Sequence, residues 1–259
     1  MLKGITDKVR RSFSQAADRY DVLTSLHKEI GRELVKKIVR LDAQKILDIG
    51  CGTGYVANKA KFFFPFSTVV GIDFSESMIA KAKELHEGID IQWLCQDAHA
   101  LDIKDKEADL ILSNLAYQWF ADLPRAFADA HRVLKDKGVM NVTLFGERTC
   151  TELFASIKAV LPDAPLGQLR TEQEIQEALI IAGFKSAQVE TELIKVEFAD
   201  VMELLTWLKA IGANQLSNQP VTFSRNKLAS IQQHYRGHFP YHDGICASFE
   251  VIWVYAQKE

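Results

Sequence analysis

The sequence has few features of a secreted, metal-binding or membrane protein. It contains four cysteines: Cys51, Cys95, Cys150 and Cys246. They lie far apart, without a C-x-x-C pair or a histidine spacing typical of zinc sites, so we expect reduced thiols and no metal. Residues 1–20 carry charge throughout and lack the apolar run of a secretory signal, and residues 62–66 form too short an apolar stretch to span a bilayer. These absences predict a cytoplasmic protein that is not associated with a membrane.

The chain also lacks an excess of charge of either sign. Its 31 basic and 34 acidic residues leave a formal net charge of −3 over 259 residues. Nothing global therefore attracts it to nucleic acid or to an anionic membrane, and an acidic partner would have to meet a local basic patch. The longest such patch contains Lys8, Arg10 and Arg11.

Short β-rich runs alternate with longer helical periods, most clearly from residue 45 to residue 145. The pattern predicts strands at residues 45–49, 67–72, 89–94, 109–113, 139–145, 187–198 and 246–255. It predicts helices at residues 23–41, 55–64, 78–86, 152–160 and 171–182, with Thr53 and Ser75 as caps of the second and third. Strands and helices in this order predict an α/β fold with a doubly wound, mostly parallel sheet of seven strands.

The rest of the chain fits one domain with additions to that sheet. After residue 199 the pattern reads helix, loop and helix, with turn formers at residues 214–220, before the last β-rich run. We therefore expect an N-terminal helical cap at 1–41, a core at 42–198, a helical insertion or lid at 199–245, and the last strand at 246–259.

A glycine-rich turn follows the first strand: Asp48, Ile49, Gly50, Cys51, Gly52, Thr53 and Gly54. Glycines there let the backbone turn sharply and approach a ligand at a helix N-terminus. A dinucleotide fingerprint would read G-x-G-x-x-G, but position 55 is Tyr55, which disfavours a nicotinamide cofactor.

Acidic residues follow the next two strands. Asp73 closes the second strand, at the distance expected of an acid that accepts hydrogen bonds from ribose hydroxyls. Gln96, Asp97 and Ala98 follow the third strand, where Asp97 is placed to accept a hydrogen bond from an adenine amino group. Each acid alone is more often solvated or capping, but together they favour a nucleotide site.

These runs, D-I-G-C-G-T-G at 48–54, V-V-G-I-D-F-S at 69–75 and Q-D-A at 96–98, resemble the successive motifs of class I S-adenosylmethionine methyltransferases. The resemblance covers roughly residues 40–145 and implies that this cofactor is bound. The cofactor-binding residues that it implies are Asp48, Gly50, Cys51, Gly52, Gly54, Asp73, Phe74, Met78, Gln96, Asp97, Ala98, Asn114 and Leu115.

Three further segments resemble the malonyl-acyl-carrier-protein O-methyltransferases of biotin synthesis. They are V-R-R-S-F-S-Q-A-A-D-R-Y-D at 9–21, S-N-L-A-Y-Q-W at 113–119 with D-L-P at 122–124, and L-K-A-I-G-A-N-Q-L at 208–216 followed by residues 223–228. Residues 217–225 and 239–253 depart from the family pattern. The resemblance implies methyl transfer to the free carboxylate of a malonyl thioester on acyl carrier protein, a strongly acidic partner that the basic patch would meet.

A carboxylate acceptor changes what the site must contain. Its pKa of about 4 leaves it ionised at neutral pH, so it needs no general base, and the protein has to align the reacting atoms and exclude water. We expect Tyr20 and Gln118 to position the substrates and Tyr117 and Trp119 to contact the acceptor, although lone aromatic residues are more often structural.

The acceptor carboxylate also calls for a cation, preferably an arginine. The candidates are Arg148 after the fifth strand and Lys209 and Arg225 in the insertion, each of which is equally compatible with a solvated surface charge. Three other functions stay open: a methyltransferase acting on a small polycarboxylate or a quinone-precursor ring, a non-catalytic S-adenosylmethionine-binding regulator, and, less favoured, a nicotinamide oxidoreductase.

Overall fold

A computed structural model describes residues 25–38, 42–210 and 223–259. The helices are α1 Ser25–Lys36, α2 Tyr55–Phe63, α3 Glu76–Leu85, α4 Leu123–Val133, α5 Thr151–Val160, α6 Glu172–Ile181, α7 Val201–Ala210 and α8 Arg225–His238. The strands are β1 Lys45–Ile49, β2 Thr68–Asp73, β3 Gln92–Cys95, β4 Ala108–Asn114, β5 Leu134–Phe145, β6 Ser186–Phe198 and β7 Ile245–Gln257.

The strands form one seven-stranded sheet in the order β3-β2-β1-β4-β5-β7-β6. Strands β1 to β5 pair in parallel, whereas β7 runs antiparallel to both β5 and β6. The predicted doubly wound α/β fold is therefore confirmed. The order reverses between β1 and β4, and this switch point is where doubly wound sheets bind ligands.

Helices pack on both faces of the sheet, so each face carries buried side chains. One cluster joins β1, β2, β4, β5 and β7 to α4 and α6, and its largest buried aromatic residues include Tyr117, Phe127 and Phe184. A second cluster packs α2 and the end of α1 against the other face. A third joins α1, α5, α7 and α8 to the carboxyl end of β5 and the amino half of β7. This third cluster seats the helices that lie between β6 and β7 against the sheet.

One of the two predicted helix caps is confirmed. Ser75 caps α3 by accepting a hydrogen bond from the Met78 N–H, as predicted. Thr53 does not cap α2: Gly54 precedes that helix at φ 87°, and no side chain caps it. Instead the carboxylate of Asp48 accepts the Ala57 N–H at 2.8 Å, so a residue of β1 satisfies a donor of the first helical turn.

Three elements differ from their predicted bounds by three residues or more. The first helix ends at Lys36 rather than at residue 41, and the fifth strand begins at Leu134 rather than at residue 139. The third strand begins at Gln92 rather than at residue 89, because α3 is followed by a turn in which Gly88 takes φ 79° and the Ile89 N–H bonds to His86 O. The helix between β4 and β5 received no predicted bounds. Asp122 begins it by accepting the Arg125 N–H at 3.1 Å, and a proline lies in its first turn.

The described part of the chain contains no helix with the length and apolar character needed to cross a membrane. Helices α7 and α8 lie between β6 and β7, where an insertion is predicted. The predicted loop at 214–220 and most of the predicted cap at 1–41 lie outside the described residues. Whether the insertion acts as a lid stays a prediction.

Candidate functional site

A cavity opens at the carboxyl ends of β1 to β4, which is where sheets of this kind bind ligands. We call it the main cavity. Its wall contains eleven of the predicted site residues: Gly50, Gly52, Asp73, Phe74, Met78, Gln96, Asp97, Ala98, Asn114, Leu115 and Trp119. The segments that follow four separate strands therefore meet in one place.

The glycine turn forms the floor of the main cavity. The N–H groups of Gly50 and Cys51 both donate to Ile72 O, at 2.7 and 2.9 Å, which ties the turn to the end of β2. Gly50 has φ 72°, and a Cβ there would overlap the Cβ of Ala116. Glycine is required at this position because the backbone conformation is left-handed and the loop after β4 lies directly against it.

Asp73 lies at the end of β2 with both carboxylate oxygens engaged by backbone. Its Oδ2 accepts the Gly52 N–H at 3.0 Å and its Oδ1 accepts the Ser75 N–H at 2.9 Å. The Phe74 N–H also donates to this carboxylate, so about one of its four acceptor positions stays available for a ligand hydroxyl. Burial raises the pKa of Asp73 to about 6, which leaves the group largely ionised at neutral pH.

Asp97 pairs with a histidine on the opposite side of the main cavity. Its Oδ1 accepts the His99 N–H at 2.9 Å and lies 2.7 Å from His99 Nδ1. Burial opposes the charged form, but the hydrogen bonds from His99 outweigh it and lower the pKa of Asp97. The pair presents a fixed carboxylate and an imidazole ring at the cavity wall, and that ring lies 5.3 Å from the ring of Phe120.

The loop after β4 is held by a chain of hydrogen bonds. Asn114 donates from Nδ2 to His27 O at 2.9 Å and accepts at Oδ1 from the Thr143 hydroxyl at 2.9 Å. Leu115 takes φ 54°, and its N–H donates to Thr143 O at 3.0 Å. Because these bonds reach α1 on one side and β5 on the other, the wall formed by Asn114 and Leu115 is rigid.

A second, smaller cavity borders the glycine turn and shares Gly50, Gly52 and Asn114 with the main cavity. Its wall adds Asp48, Cys51, Thr53, Tyr55, Val56, His27 and Lys28. Burial raises the pKa of Asp48 to about 7 and lowers that of His27 to about 4, so the imidazole is neutral at pH 7. The ammonium of Lys28 lies 5.7 Å from the centre of the Tyr55 ring.

Three predicted site residues adjoin the cavities without lining them. Gly54 packs against Trp93, whose ring a Cβ at this position would overlap. Tyr117 is fully buried in the core and stacks on Phe127, with ring centroids 4.9 Å apart. Gln118 donates from Nε2 to Leu115 O at 2.7 Å. Gly54 and Tyr117 therefore have structural reasons for their positions, and Gln118 supports the loop that forms the wall.

The predicted cations do not reach the main cavity. Arg148 donates to Glu250 through its backbone N–H and its Nε, and Glu250, only 4% exposed, is the anion that its charge meets. Lys209 and Arg225 are exposed, near the end of α7 and at the start of α8. The expectation that one of these three binds the acceptor carboxylate has no support in the described geometry.

The fold brings several further residues to the cavities that were not predicted, among them His99, Phe120, Ala116, His27 and Lys28. His99 could have been found, because an aspartate two residues before it in a loop commonly bonds the later N–H. His27 and Lys28 belong to α1 and reach the glycine turn through tertiary packing, which no local pattern announces. Tyr20, Lys8, Arg10 and Arg11 lie outside the described residues.

Comparison with known proteins agrees with this geometry. A family model described as a methyltransferase domain matches residues 47–142. The chain is 31% identical to a malonyl-[acyl-carrier protein] O-methyltransferase of Methylovorus sp. (strain MP688), over 97% of this chain and 88% of that one. It is 32% identical to the protein of that name from Methylococcus capsulatus, over 95% of this chain and 92% of that one.

A solved structure shares the fold at lower identity. The phosphoethanolamine N-methyltransferase 2 of Haemonchus contortus, in complex with S-adenosyl-L-methionine, superposes with a TM-score of 0.56 and 20% identity. The match covers 88% of this chain and 52% of that one. Since the two curated relatives match over nearly their whole length and the methyltransferase domain spans the strands that build the main cavity, this chain belongs to the malonyl-[acyl-carrier protein] O-methyltransferase family.

Proposed function

We propose that this protein transfers the methyl group of S-adenosylmethionine to the free carboxylate of malonyl-acyl carrier protein, an early step of biotin synthesis. The observation that carries the proposal is the match to malonyl-[acyl-carrier protein] O-methyltransferases over 97% of this chain. The main cavity supports it, because residues after four strands converge there as a nucleotide-derived methyl donor requires.

The donor fits the residues that are present. The remaining acceptor position of Asp73 suits a ribose hydroxyl, and its burial strengthens a hydrogen bond to it. The apolar wall of Phe74, Met78 and Ala98 suits the faces of an adenine ring, and Asp97 suits its amino group. The second cavity, which is continuous with the glycine turn and contains Lys28, suits the charged amino-acid end of the donor.

The reaction depends on alignment of the reacting atoms and not on proton transfer. When bound, S-adenosylmethionine supplies a methyl group on a positively charged sulfur, and its transfer to an ionised carboxylate moves no proton. Leu115, Trp119 and Phe120 form part of the wall of the main cavity, and their apolar surfaces exclude water from it. Asn114 and Gln118 keep this wall in one position through their bonds to His27 O and Leu115 O.

The residues at the entrance of the site remain part of the proposal. Tyr20 would complete the acceptor side, and Lys8, Arg10 and Arg11 would attract an acidic carrier protein electrostatically. An electrostatic encounter of this kind predicts that the KM for the carrier-bound substrate rises with ionic strength while the KM for a malonyl thioester of coenzyme A changes less.

The test is the release of S-adenosylhomocysteine with malonyl-acyl carrier protein, run beside malonyl-coenzyme A, free malonate and a reaction without acceptor. Turnover that prefers the carrier-bound thioester supports the proposal. Turnover with free malonate alone would favour a small polycarboxylate as substrate. Binding of the donor, measured by calorimetry, without turnover on any of these acceptors would contradict the proposed acceptor and favour a regulatory role.

A further inference from the structure

A further cavity lies between the end of α1 and the face of strands β5, β7 and β6, and we call it the α1 groove. Helix α1 contributes Leu34 and Lys37 to its wall, and the strands contribute Asn141, Trp253 and Tyr255, among others. None of the described residues that line it belongs to the main cavity or to the second cavity. A ligand of this groove would therefore not compete with the methyl donor for space.

The polar and aromatic side chains of β5 and β7 point into the α1 groove. Successive side chains of a strand lie on opposite faces of a sheet. Val142 and Val254 pack with α4 and α6 on one face, so Asn141, Trp253 and Tyr255 lie on the other. Helix α1 packs on that second face, because it shares a cluster of buried side chains with Trp253. All three side chains therefore face α1 across the groove.

Asn141 is the buried polar residue of the α1 groove. It is only 4% exposed, and its Oδ1 has no hydrogen-bond partner among the described residues. The strand register places Tyr255 of β7 opposite Asn141, and Gln188 of β6 opposite Tyr255. Three polar side chains thus form one row across the floor of the groove. Buried acceptors in native proteins are nearly always hydrogen-bonded, so this row is short of a ligand that donates a hydrogen bond.

The charged groups at the α1 groove favour an uncharged ligand. The ammonium of Lys37 lies 4.7 Å from the centre of the Trp253 ring and 3.8 Å from a carboxylate oxygen of Glu190. Trp253 also donates from Nε1 to Glu192 Oε2 at 3.2 Å, which fixes the ring beside a second carboxylate. The two carboxylates repel an anion and the ammonium repels a cation. The rings of Trp253 and Tyr255 instead suit the flat face of an uncharged ring.

We propose that the α1 groove binds a small, flat, uncharged ring that contains a cyclic amide or a cyclic urea. Such a ring presents an N–H beside a C=O, which is the complement of a carboxamide. Its N–H donates to the buried Oδ1 of Asn141, its C=O accepts from Nδ2 of the same side chain or from the Tyr255 hydroxyl, and its faces contact Trp253. Because α1 also carries His27 and Lys28 to the second cavity, this ligand would steady the helix that borders the methyl donor. The inference goes beyond methyl transfer and does not depend on it.

The experiment titrates the protein with uracil and with 1,3-dimethyluracil, and ligand-detected NMR measures the two dissociation constants. The protein is saturated with S-adenosylhomocysteine, which keeps both probes out of the donor site. Uracil contains the proposed amide and urea, whereas the dimethyl compound has the same ring without an N–H. We expect uracil to bind at least about 10-fold more tightly, as one hydrogen bond to a buried acceptor implies.

Two variants test the contacts. Asn141→Leu should abolish the difference between the two probes, and Tyr255→Phe should weaken the binding of uracil about threefold or more. Tyr241→Phe is the matched control, since the Tyr241 hydroxyl donates to Glu197 at 2.7 Å and neither residue lines the groove. Asn141→Leu replaces an acceptor that lacks a partner by a side chain of similar size, so the variant should fold, and thermal denaturation checks this.

Three results overturn the inference, and none of them depends on the methyl acceptor. If uracil does not bind the unmodified protein at millimolar concentrations, water or another part of the chain satisfies Asn141. If both probes bind the unmodified protein equally, the contact is apolar and the ring N–H plays no part. If Asn141→Leu and Tyr255→Phe both keep the full affinity for uracil, the probe binds elsewhere on the protein.

Discussion

The two halves of the sheet's carboxyl edge differ in how their chemistry is encoded. On the side of β1 to β4, the predicted residues follow directly after strands and line one cavity. On the side of β5 to β7, the predicted cations Arg148, Lys209 and Arg225 do not reach it. In the proposed function, backbone turns fixed at strand ends would bind the donor, whereas the acceptor would need side chains brought together by tertiary contacts. A motif at a strand end can therefore be identified in the sequence, whereas a long-range contact cannot.

The largest effect should come from Gly50→Ala, a substitution in the glycine turn after β1. The left-handed backbone conformation and the overlap with the Ala116 Cβ together should cost about 2–5 kcal/mol of unfolding free energy. Gly88→Ala is the matched control, since Gly88 has φ 79° but no atom within 4 Å of its Cβ position, and it should cost only the strain, about 1–2 kcal/mol. Chemical denaturation measures both. If the double variant Gly50→Ala/Ala116→Gly recovers nothing, the close approach of the two loops is not the reason for this glycine.

Arg148→Ala tests whether Arg148 stabilises the fold through Glu250 or binds the acceptor. It leaves the buried carboxylate of Glu250 with only backbone donors, so we expect a loss of about 1–2 kcal/mol in unfolding free energy, moderated because the Arg148 side chain is 55% exposed. The double variant Arg148→Ala/Glu250→Gln has no unpaired buried charge, so it should recover part of the lost unfolding free energy. The KM for the malonyl thioester should stay unchanged. A large rise in that KM with little loss of unfolding free energy would indicate that Arg148 binds the acceptor carboxylate.

The buried acids of the donor half predict a pH dependence. Asp48 and Asp73 have folded-state pKa values of about 7 and about 6, above the unfolded value of about 3.9. The unfolded chain therefore binds fewer protons between pH 4 and 7, and these two groups make the ligand-free protein less stable as the pH rises through that window. Asp48→Asn keeps an acceptor for the Ala57 N–H, so its gain in unfolding free energy should be about 2–3 kcal/mol larger at pH 7.5 than at pH 5. Equal shifts at both pH values would show that Asp48 is ionised in the folded state throughout.

The smallest effects should come from Lys209→Ala and Arg225→Ala, which test whether the insertion supplies a cation for the acceptor. Both side chains are exposed, so each substitution should change unfolding free energy by less than about 0.5 kcal/mol and the KM for the malonyl thioester by less than about twofold. Steady-state kinetics on both variants checks this. A tenfold rise in KM for either would mean that the insertion supplies the cation after all.

The sequence predicted the sheet, the glycine turn and the carboxylates of the donor site because each depends on local rules. Strand-end acids such as Asp73 and Asp97 are adjacent in sequence to the elements that position them. The role of Tyr117 could not be predicted, since only the packing of α4 reveals that its ring stacks on Phe127. The contacts of Arg170 could not be predicted for the same reason, since its partners Phe120 O and Ala121 O lie 50 and 49 positions away in the sequence. The cap at Thr53 was wrong because Asp48, in the strand before the turn, satisfies the helix instead.

The place of β7 in the sheet has a consequence for how the protein is made. Strand β7 lies between β5 and β6 and pairs with β6 over thirteen residue pairs, yet it is synthesised after both. While the ribosome is still adding the residues of α7 and α8, β5 therefore has an open edge and β6 has no partner in the sheet. Open strand edges invite pairing with other chains, so the nascent protein should depend on chaperones until residue 257 has emerged.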